Sequence, residues 1–236
     1  MFGPEYPKIQ TLFKRDERNV IVPGDWTADE FRYLKDCSWR WTEKVDGTNI
    51  RIHWNGESVT MGGRTDNAQV PTFLIAALGF LNNPDLWRAT FPEDEIEAIY
   101  PPELRNTPDV TLYGEGYGPK IQNGGQYRSE PALILFDVRV GRWWLKPEGV
   151  ADVAVKLGLD VVPLFSDYWT LGNAVALIET GELVSYWPNA RIEGLVGTPA
   201  VPLFDRKGDR IIAKIKGKDF TDLKRRGVPV TASNEV

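Results

Sequence analysis

A chain of 236 residues, 42% hydrophobic and 26% charged, carries enough apolar material for one large soluble domain or two small ones without covalent staples. The excess of 33 Asp and Glu over 28 Lys and Arg gives a net charge of −5, which excludes general polyanion binding and confines any nucleic-acid contact to a local basic patch. Single Cys37 and His53 exclude an internal disulfide and a Cys/His zinc site; with no membrane-spanning apolar run and no signal-peptide pattern, a reducing, cytoplasmic setting is expected.

Residues 1–36 read as an irregular lead-in broken by Pro4, Pro7, Pro23 and Gly24, with a short helix from about Thr27 to Leu34. Thr27 and Glu30 fit a capping box at its start. Strands are expected at 38–45 and 48–55, a turn at Asn55-Gly56, and another strand at 57–61. Residues 72–82 have the character of a buried helix, and 93–99 of an acidic one. Strands follow at 109–115 and 131–140. A helix over 147–157 opens on Pro147 and closes near Gly158, and one over 170–179 ends at Gly181. Late strands at 192–197 and 210–216 lead into a basic C-terminal tail. There is no repeat, no low-complexity segment and no linker. Without a βαβ rhythm, the class is α+β with antiparallel sheets. Most of the 9 Trp residues are assigned to the core, although stacking surfaces for bases use the same side chain.

The most informative stretch is Thr42-Glu43-Lys44-Val45-Asp46-Gly47-Thr48-Asn49, flanked on both sides by strand-type residues. It sets a lysine, which can form covalent intermediates through nitrogen, at a strand end before an Asp-Gly turn. Alone, the pattern fits a surface hairpin as well. Four further segments change its meaning. Tyr113-Gly114-Glu115 ends a strand on a carboxylate and runs into a glycine-rich loop up to Tyr127. Leu133 to Val138 is a buried-type strand holding Phe136. Arg191-Ile192-Glu193-Gly194-Leu195-Val196 sets a carboxylate beside a glycine. Ile212-Ala213-Lys214-Ile215-Lys216 points two lysines to one face. Together these parts suit attack on the α-phosphate of a nucleotide. Lys44 would be the nucleophile, and Lys214 and Lys216 would supply positive field and hold phosphate oxygens. Glu193 would hold a divalent metal, Phe136 would stack on a base, and Glu115 would accept from a ribose hydroxyl. Singly, Phe136 reads as core, the two late lysines as the polar face of an edge strand, and Asp46 as a turn former.

The ordered set resembles the covalent nucleotidyltransferase superfamily of DNA ligases, RNA ligases and mRNA capping enzymes. The motifs match at Lys44–Gly47, Tyr113–Glu115, Leu135–Val138, Glu193–Val196 and Ala213–Lys216. Asn49 stands where DNA ligases and capping enzymes usually carry arginine. Arg64, within Met61-Gly62-Gly63-Arg64-Thr65, and the Gly116–Tyr127 loop are similar to RNA ligases of the nick-sealing phage and kinetoplastid editing type.

The resemblance implies an α+β nucleotidyltransferase (ATP-grasp-like ligase adenylation) fold, with antiparallel sheets flanked by helices and a nucleotide cleft between sheets. It implies an ATP-dependent RNA ligase: Lys44 takes AMP from ATP, AMP passes to a 5′-phosphate end, and a 3′-hydroxyl displaces it. Mg²⁺ (or Mn²⁺) would assist, one ion binding through Glu193. Lys214 and Lys216 contact the α-phosphate, Phe136 stacks on adenine and Glu115 binds ribose. Asn49 and Arg64 contact the nucleotide or the end being joined. Thr42 and Glu43 line the adenine pocket, partly through backbone, with Val45 among the nucleotide contacts. The partners would be RNA ends or a nicked duplex, met by the basic segment 206–226, with no membrane. Residues 1–236 would form a single adenylyltransferase domain, without the C-terminal OB or helical domain of larger relatives. A minimal DNA ligase, a ligase of mixed RNA–DNA ends, a capping guanylyltransferase and a non-turnover end-binding module are the alternatives.

Overall fold

The computed structural model describes residues 2–92 and 109–226, so the helix expected at 93–99 lies outside the described residues. In chain order the first elements are β1 (Gln10–Thr11), β2 (Phe13–Arg15), β3 (Ile21–Trp26), α1 (Asp29–Tyr33) and β4 (Trp39–Glu43). β5 (Thr48–Trp54), β6 (Val59–Gly63), α2 (Thr72–Ala77), α3 (Pro84–Thr90) and β7 (Val110–Tyr117) follow. Then come β8 (Ala132–Val140), β9 (Trp143–Trp144), α4 (Pro147–Leu157), β10 (Asp160–Val161) and β11 (Leu164–Trp169). The last are α5 (Leu171–Thr180), β12 (Gly194–Pro199), β13 (Ala213–Lys216) and α6 (Gly217–Arg225). The class is α+β with mainly antiparallel sheets and helices, as expected from the sequence.

The chain divides into two compact units, each made from separated stretches: Met1–Tyr6 with Asp46–Val162, and Pro7–Val45 with Pro163–Val236. It passes from one unit to the other three times, which is why no single linker composition marks a boundary.

The unit containing Pro7–Val45 is built on a five-stranded sheet in the order β1-β13-β12-β4-β11, antiparallel except for the parallel pair β1–β13. Its apolar face buries Trp39, Trp41, Leu195, Ala213 and Ile215 with Val175 of α5 and Phe220 of α6. α5 starts at a capping box between Thr170 and Asn173 and ends at Gly181 in the left-handed region. The lead-in is more ordered than expected. β2 and β3 pair around a turn in which the Asp16 carboxylate accepts from the Arg18 and Val20 amides, and Leu12, Phe13 and Ile21 are buried. The Thr27–Glu30 capping box does not form. α1 begins two residues later with Ala28 as its cap, because the Thr27 amide is taken by the Leu12 carbonyl at 3.1 Å.

The other unit is built on a sheet in the order β10-β8-β7-β5-β6, with β9 added to β8. Ile50, Ile52, Trp54, Leu112, Leu135 and Val138 pack against Leu74, Trp87 and Val153 of its helices. The stretch 72–82 is not one buried helix. It breaks into α2 and a 3₁₀ turn at Gly79–Leu81, buries Leu74, Leu78 and Leu81, and leaves Phe73, Ile75 and Phe80 exposed. α3, unforeseen from its apolar pattern, is announced by Asn83-Pro84: the Asn83 side chain caps the Asp85 amide and Pro84 fills the first turn. Four of the nine tryptophans, Trp39, Trp41, Trp54 and Trp87, are among the largest fully buried side chains, in line with their assignment to the core. No helix among the described residues is long and apolar enough to cross a membrane.

Candidate active site

Along β4 and just beyond it burial alternates: Trp39, Trp41, Glu43 and Val45 are buried, while Arg40, Thr42 and Lys44 are partly exposed. Thr42 and Lys44 therefore share the polar face of the five-stranded sheet, Glu43 faces the opposite side, and Val45 is buried just past the strand. The same alternation in β13 puts Lys214 and Lys216 on the polar face, between buried Ala213 and Ile215. β12 lies between these strands. Val196 pairs with Thr42 on one side and Lys214 on the other, and the Gly194 carbonyl accepts the Lys44 amide at 2.9 Å while Gly194 pairs with Lys216. Two cross-strand rows result, Thr42–Val196–Lys214 and Lys44–Gly194–Lys216.

Glu193, one residue before β12, joins the ends of the second row. Its Oε2 accepts from Lys44 Nζ at 2.7 Å and its Oε1 from Lys216 Nζ at 2.8 Å, with all three side chains 16–22% exposed. The Glu193 carbonyl is held by the Gly217 amide at 2.9 Å, at the start of α6. The Lys214 amine is pushed below the usual lysine range, first by burial and then by the charges of Lys216, Lys44 and Lys8, against a smaller opposing pull from Glu193. Lys44, Lys214 and Lys216 thus surround one carboxylate, a local excess of positive charge suited to phosphate.

Glu43 has a different task from the one expected of its side chain. Only 1% exposed, it accepts from Ser185 Oγ at 2.6 Å and from the Tyr186 amide at 2.8 Å, and so anchors the loop leading to Glu193. Its own amide bonds the Pro163 carbonyl. Burial pushes the Glu43 carboxyl above its ordinary range, partly offset by those two hydrogen bonds. The folded chain therefore binds this proton more tightly than the unfolded chain. Stability from this group is lost as pH rises from the ordinary glutamate range through the raised folded value. Glu43→Gln removes that dependence, so its melting temperature relative to wild type should climb as pH rises above the ordinary glutamate value of about 4. A constant difference across that range would contradict it.

In the six-stranded unit, Asn49 stands directly opposite Glu115 across β5 and β7, and its Oδ1 is buried with no hydrogen-bond partner among the described residues. Phe136 is the extra residue of a β-bulge. Tyr113 pairs with Asp137 and Gly114 with Leu135, so Phe136 has no counterpart on β7 and remains partly exposed. Arg64 follows β6 and is exposed. Asp46 is more than a turn former: its amide donates to Tyr127 Oη at 3.1 Å, and its carboxylate accepts from Asn123 Nδ2 at 2.6 Å, tying it to the glycine-rich loop. Gly47 is required by close approach, since a Cβ there would lie 2.3 Å from the Gly116 carbonyl oxygen.

Lys44, Glu193, Lys214 and Lys216 are thus brought together, with Thr42 on their face. Glu43 and Val45 turn away, and Asn49, Arg64, Glu115 and Phe136 belong to the other unit. The Glu43–Ser185 anchor has no signal in the sequence. The segment 206–226 is not one basic run in space: it comprises a turn around Asp205, strand β13 and helix α6, where Lys224 donates to the Glu179 carbonyl. Among the described residues no group of three or more His, Cys, Asp or Glu could hold a metal ion. Glu193 offers one carboxylate, the share of a site in which a divalent ion takes its other ligands from phosphates and water.

Comparison with known proteins bears on the fold and the family of the chain. Solved Naegleria gruberi RNA ligase structures share the fold. A mutant with AMP and Mn is 17% identical with a TM-score of 0.52, covering 95% of this chain and 60% of its own. A mutant without ligand is 18% identical with a TM-score of 0.53, covering 94% and 60%. The chain therefore spans about 60% of the length of these ligases. No curated protein sequence matches it. The RNA ligase family model matches residues 38–216, a span holding all five motif segments, and the chain belongs to the RNA ligase family.

Proposed function

We propose that this protein is an ATP-dependent RNA ligase working through a lysyl-AMP intermediate. The observation that carries the reading is the Lys44–Glu193–Lys216 row, with Lys214 beside it on the same sheet face. In the first step the Lys44 nitrogen, once it has given up its ammonium proton, attacks the α-phosphorus of ATP. A P–N bond forms, the bond from the α-phosphorus to the bridging oxygen breaks, pyrophosphate leaves with that oxygen, and the nitrogen releases a proton to solvent. Lys214 and Lys216 offset the charge that builds on the phosphate oxygens. AMP then passes to an RNA 5′-phosphate, and a 3′-hydroxyl displaces it to give the phosphodiester. A magnesium or manganese ion at Glu193 would add charge neutralisation at the phosphates. The Naegleria ligases with ATP, AMP and Mn support the choice of nucleotide and metal class. Asn49, Arg64, Glu115 and Phe136 are assigned to the nucleotide or the joined end, Thr42 to the nucleotide pocket, and Glu43 and Val45 to backbone contact with it. Residues 1–236 are read as one adenylyltransferase domain. Exposed Lys218, Lys224, Arg225 and Arg226 of α6 and its end are assigned to RNA phosphates, and the single cysteine suits a reducing, cytoplasmic setting.

The test is incubation with ATP labelled at the α-phosphate and Mg²⁺, followed by denaturation. Acid-labile label should stay on the wild-type chain and be absent from Lys44→Ala. Label on the alanine variant would remove the nucleophile assignment. Nicked duplexes with RNA or DNA at the 3′-hydroxyl side then test substrate class: equal sealing of both would end the RNA assignment.

A further inference from the structure

The bulge that frees Phe136 from β7 also removes the cross-strand neighbour that would otherwise hold its ring. The amino-terminal segment takes over that role within the same unit. Tyr6, 7% exposed, meets Phe136 edge-on, with ring centroids 5.1 Å apart and planes at 74°. Its hydroxyl donates to Asp137 Oδ2 at 2.9 Å, the residue directly after Phe136. The same ring packs against Tyr113 at 5.0 Å and against Trp144 at 5.7 Å. One side chain thus touches both strands that flank the bulge, and β9 as well.

The segment carrying Tyr6 is itself fastened. Arg51 Nη1 donates to the Gly3 carbonyl at 2.7 Å, and Tyr113 Oη donates to the Pro4 carbonyl at 2.9 Å. Arg51 and Tyr113 are cross-strand partners on β5 and β7, so the two anchors come from one row of the sheet. Gly3 has φ +74°, and a Cβ there would lie 2.8 Å from the His53 ring, so only glycine lets the segment lie this close. These ties leave Tyr6 little freedom to move relative to the bulge.

We propose that Tyr6 is a positioning residue for the nucleotide base: it holds the bulged Phe136 ring in the orientation that stacks on adenine. The assignment rests on the ligase reading above, and within it on Phe136 as the stacking side chain. An aromatic edge against a ring restricts its rotation about both side-chain torsions. A ring held in place loses less freedom when a base stacks on it.

The test is a double-mutant cycle read by calorimetric binding of AMP and, separately, of inorganic pyrophosphate. The proteins are wild type, Tyr6→Leu, Phe136→Leu and the double variant, with Tyr6→Phe as the conservative control. Tyr6→Leu and Phe136→Leu should each weaken AMP by about tenfold, the scale of one lost base–aromatic stack. The double variant should be no worse than the weaker single variant, because both changes remove the same stack. Pyrophosphate affinity should be unchanged throughout, and Tyr6→Phe, which keeps the ring edge, should stay within about threefold of wild type for AMP. Losses that multiply in the double variant, or a Tyr6→Leu loss shared equally by pyrophosphate, would overturn the positioning role. Normal AMP binding by Tyr6→Leu beside a weakened Phe136→Leu would also overturn it while leaving the stacking assignment intact. Normal binding by Phe136→Leu would remove the stacking assignment and this proposal with it.

Discussion

Gly194→Ala is expected to cost the protein more stability than any other single methyl group added to the candidate site, and to abolish adenylylation. A Cβ at this position would lie 1.9 Å from the Ile215 carbonyl oxygen and 2.9 Å from Lys216 Cα, both backbone atoms of the neighbouring strand. No side-chain rotation relieves such a clash, so β12 and β13 must separate locally. That opens a ladder which carries Lys214 and Lys216 on one side and Glu193 at the start of the other. Overpacking of this kind costs about 3 kcal/mol or more. For a chain of this length that is a fall in melting temperature of about 10 °C. The chemical consequence is larger than the thermal one, because the Gly194 carbonyl also receives the Lys44 amide. Label transfer from ATP should disappear even at temperatures where circular dichroism shows the variant folded. Gly79→Ala is the control: no atom lies within 4 Å of a Cβ built there, and its melting temperature should match or exceed wild type. Equal melting temperatures for Gly194→Ala and wild type would show that the strand spacing at Glu193 is not as tight as described.

The parts of this fold that were legible in the sequence are those whose signal is local. Pro147 and Gly158 bracket α4 because a missing amide suits a first helical turn and a left-handed φ of 68° suits a glycine cap. The alternation of Ile50, Ile52 and Trp54 in β5 needed only a period of two. The illegible parts depend on partners far along the chain. β1 has two residues and exists because Gln10 and Thr11 pair with Ala213 and Lys214, some two hundred positions away. Thr27 and Glu30 have the spacing of a capping box, yet the Leu12 carbonyl captures the Thr27 amide and moves the helix start. For the site, the motif residues Lys44, Glu193, Lys214 and Lys216 were readable as a set, and their register across three strands puts them on one face. Glu43 is expected at the adenine pocket, partly through backbone, and the Ser185 and Tyr186 donors that hold its buried carboxylate follow only from the folded chain.

Glu193→Ala should push catalysis and anion binding in opposite directions. The carboxylate is the single negative group bridging Lys44 and Lys216, at 2.7 and 2.8 Å, and Lys214 already feels the charges of both lysines. Removing it frees the Lys44 side chain from its aimed position and removes the carboxylate proposed to hold the metal. Adenylylation should then fall by about 10²–10³, the scale seen when a single group that stabilises developing charge is lost. The same substitution takes away a charge that competes with phosphate for the three ammonium groups. Inorganic pyrophosphate, measured without divalent metal, should therefore bind the variant more tightly than wild type, and the difference should shrink as salt is raised. Glu193→Gln keeps the side-chain shape and one acceptor oxygen, so it should fall between wild type and alanine in both measurements. A collapse of the local structure would weaken pyrophosphate binding along with activity. A carboxylate that served only to hold the fold would give that result, whereas one set among lysines with the proposed phosphate-binding role separates the two effects.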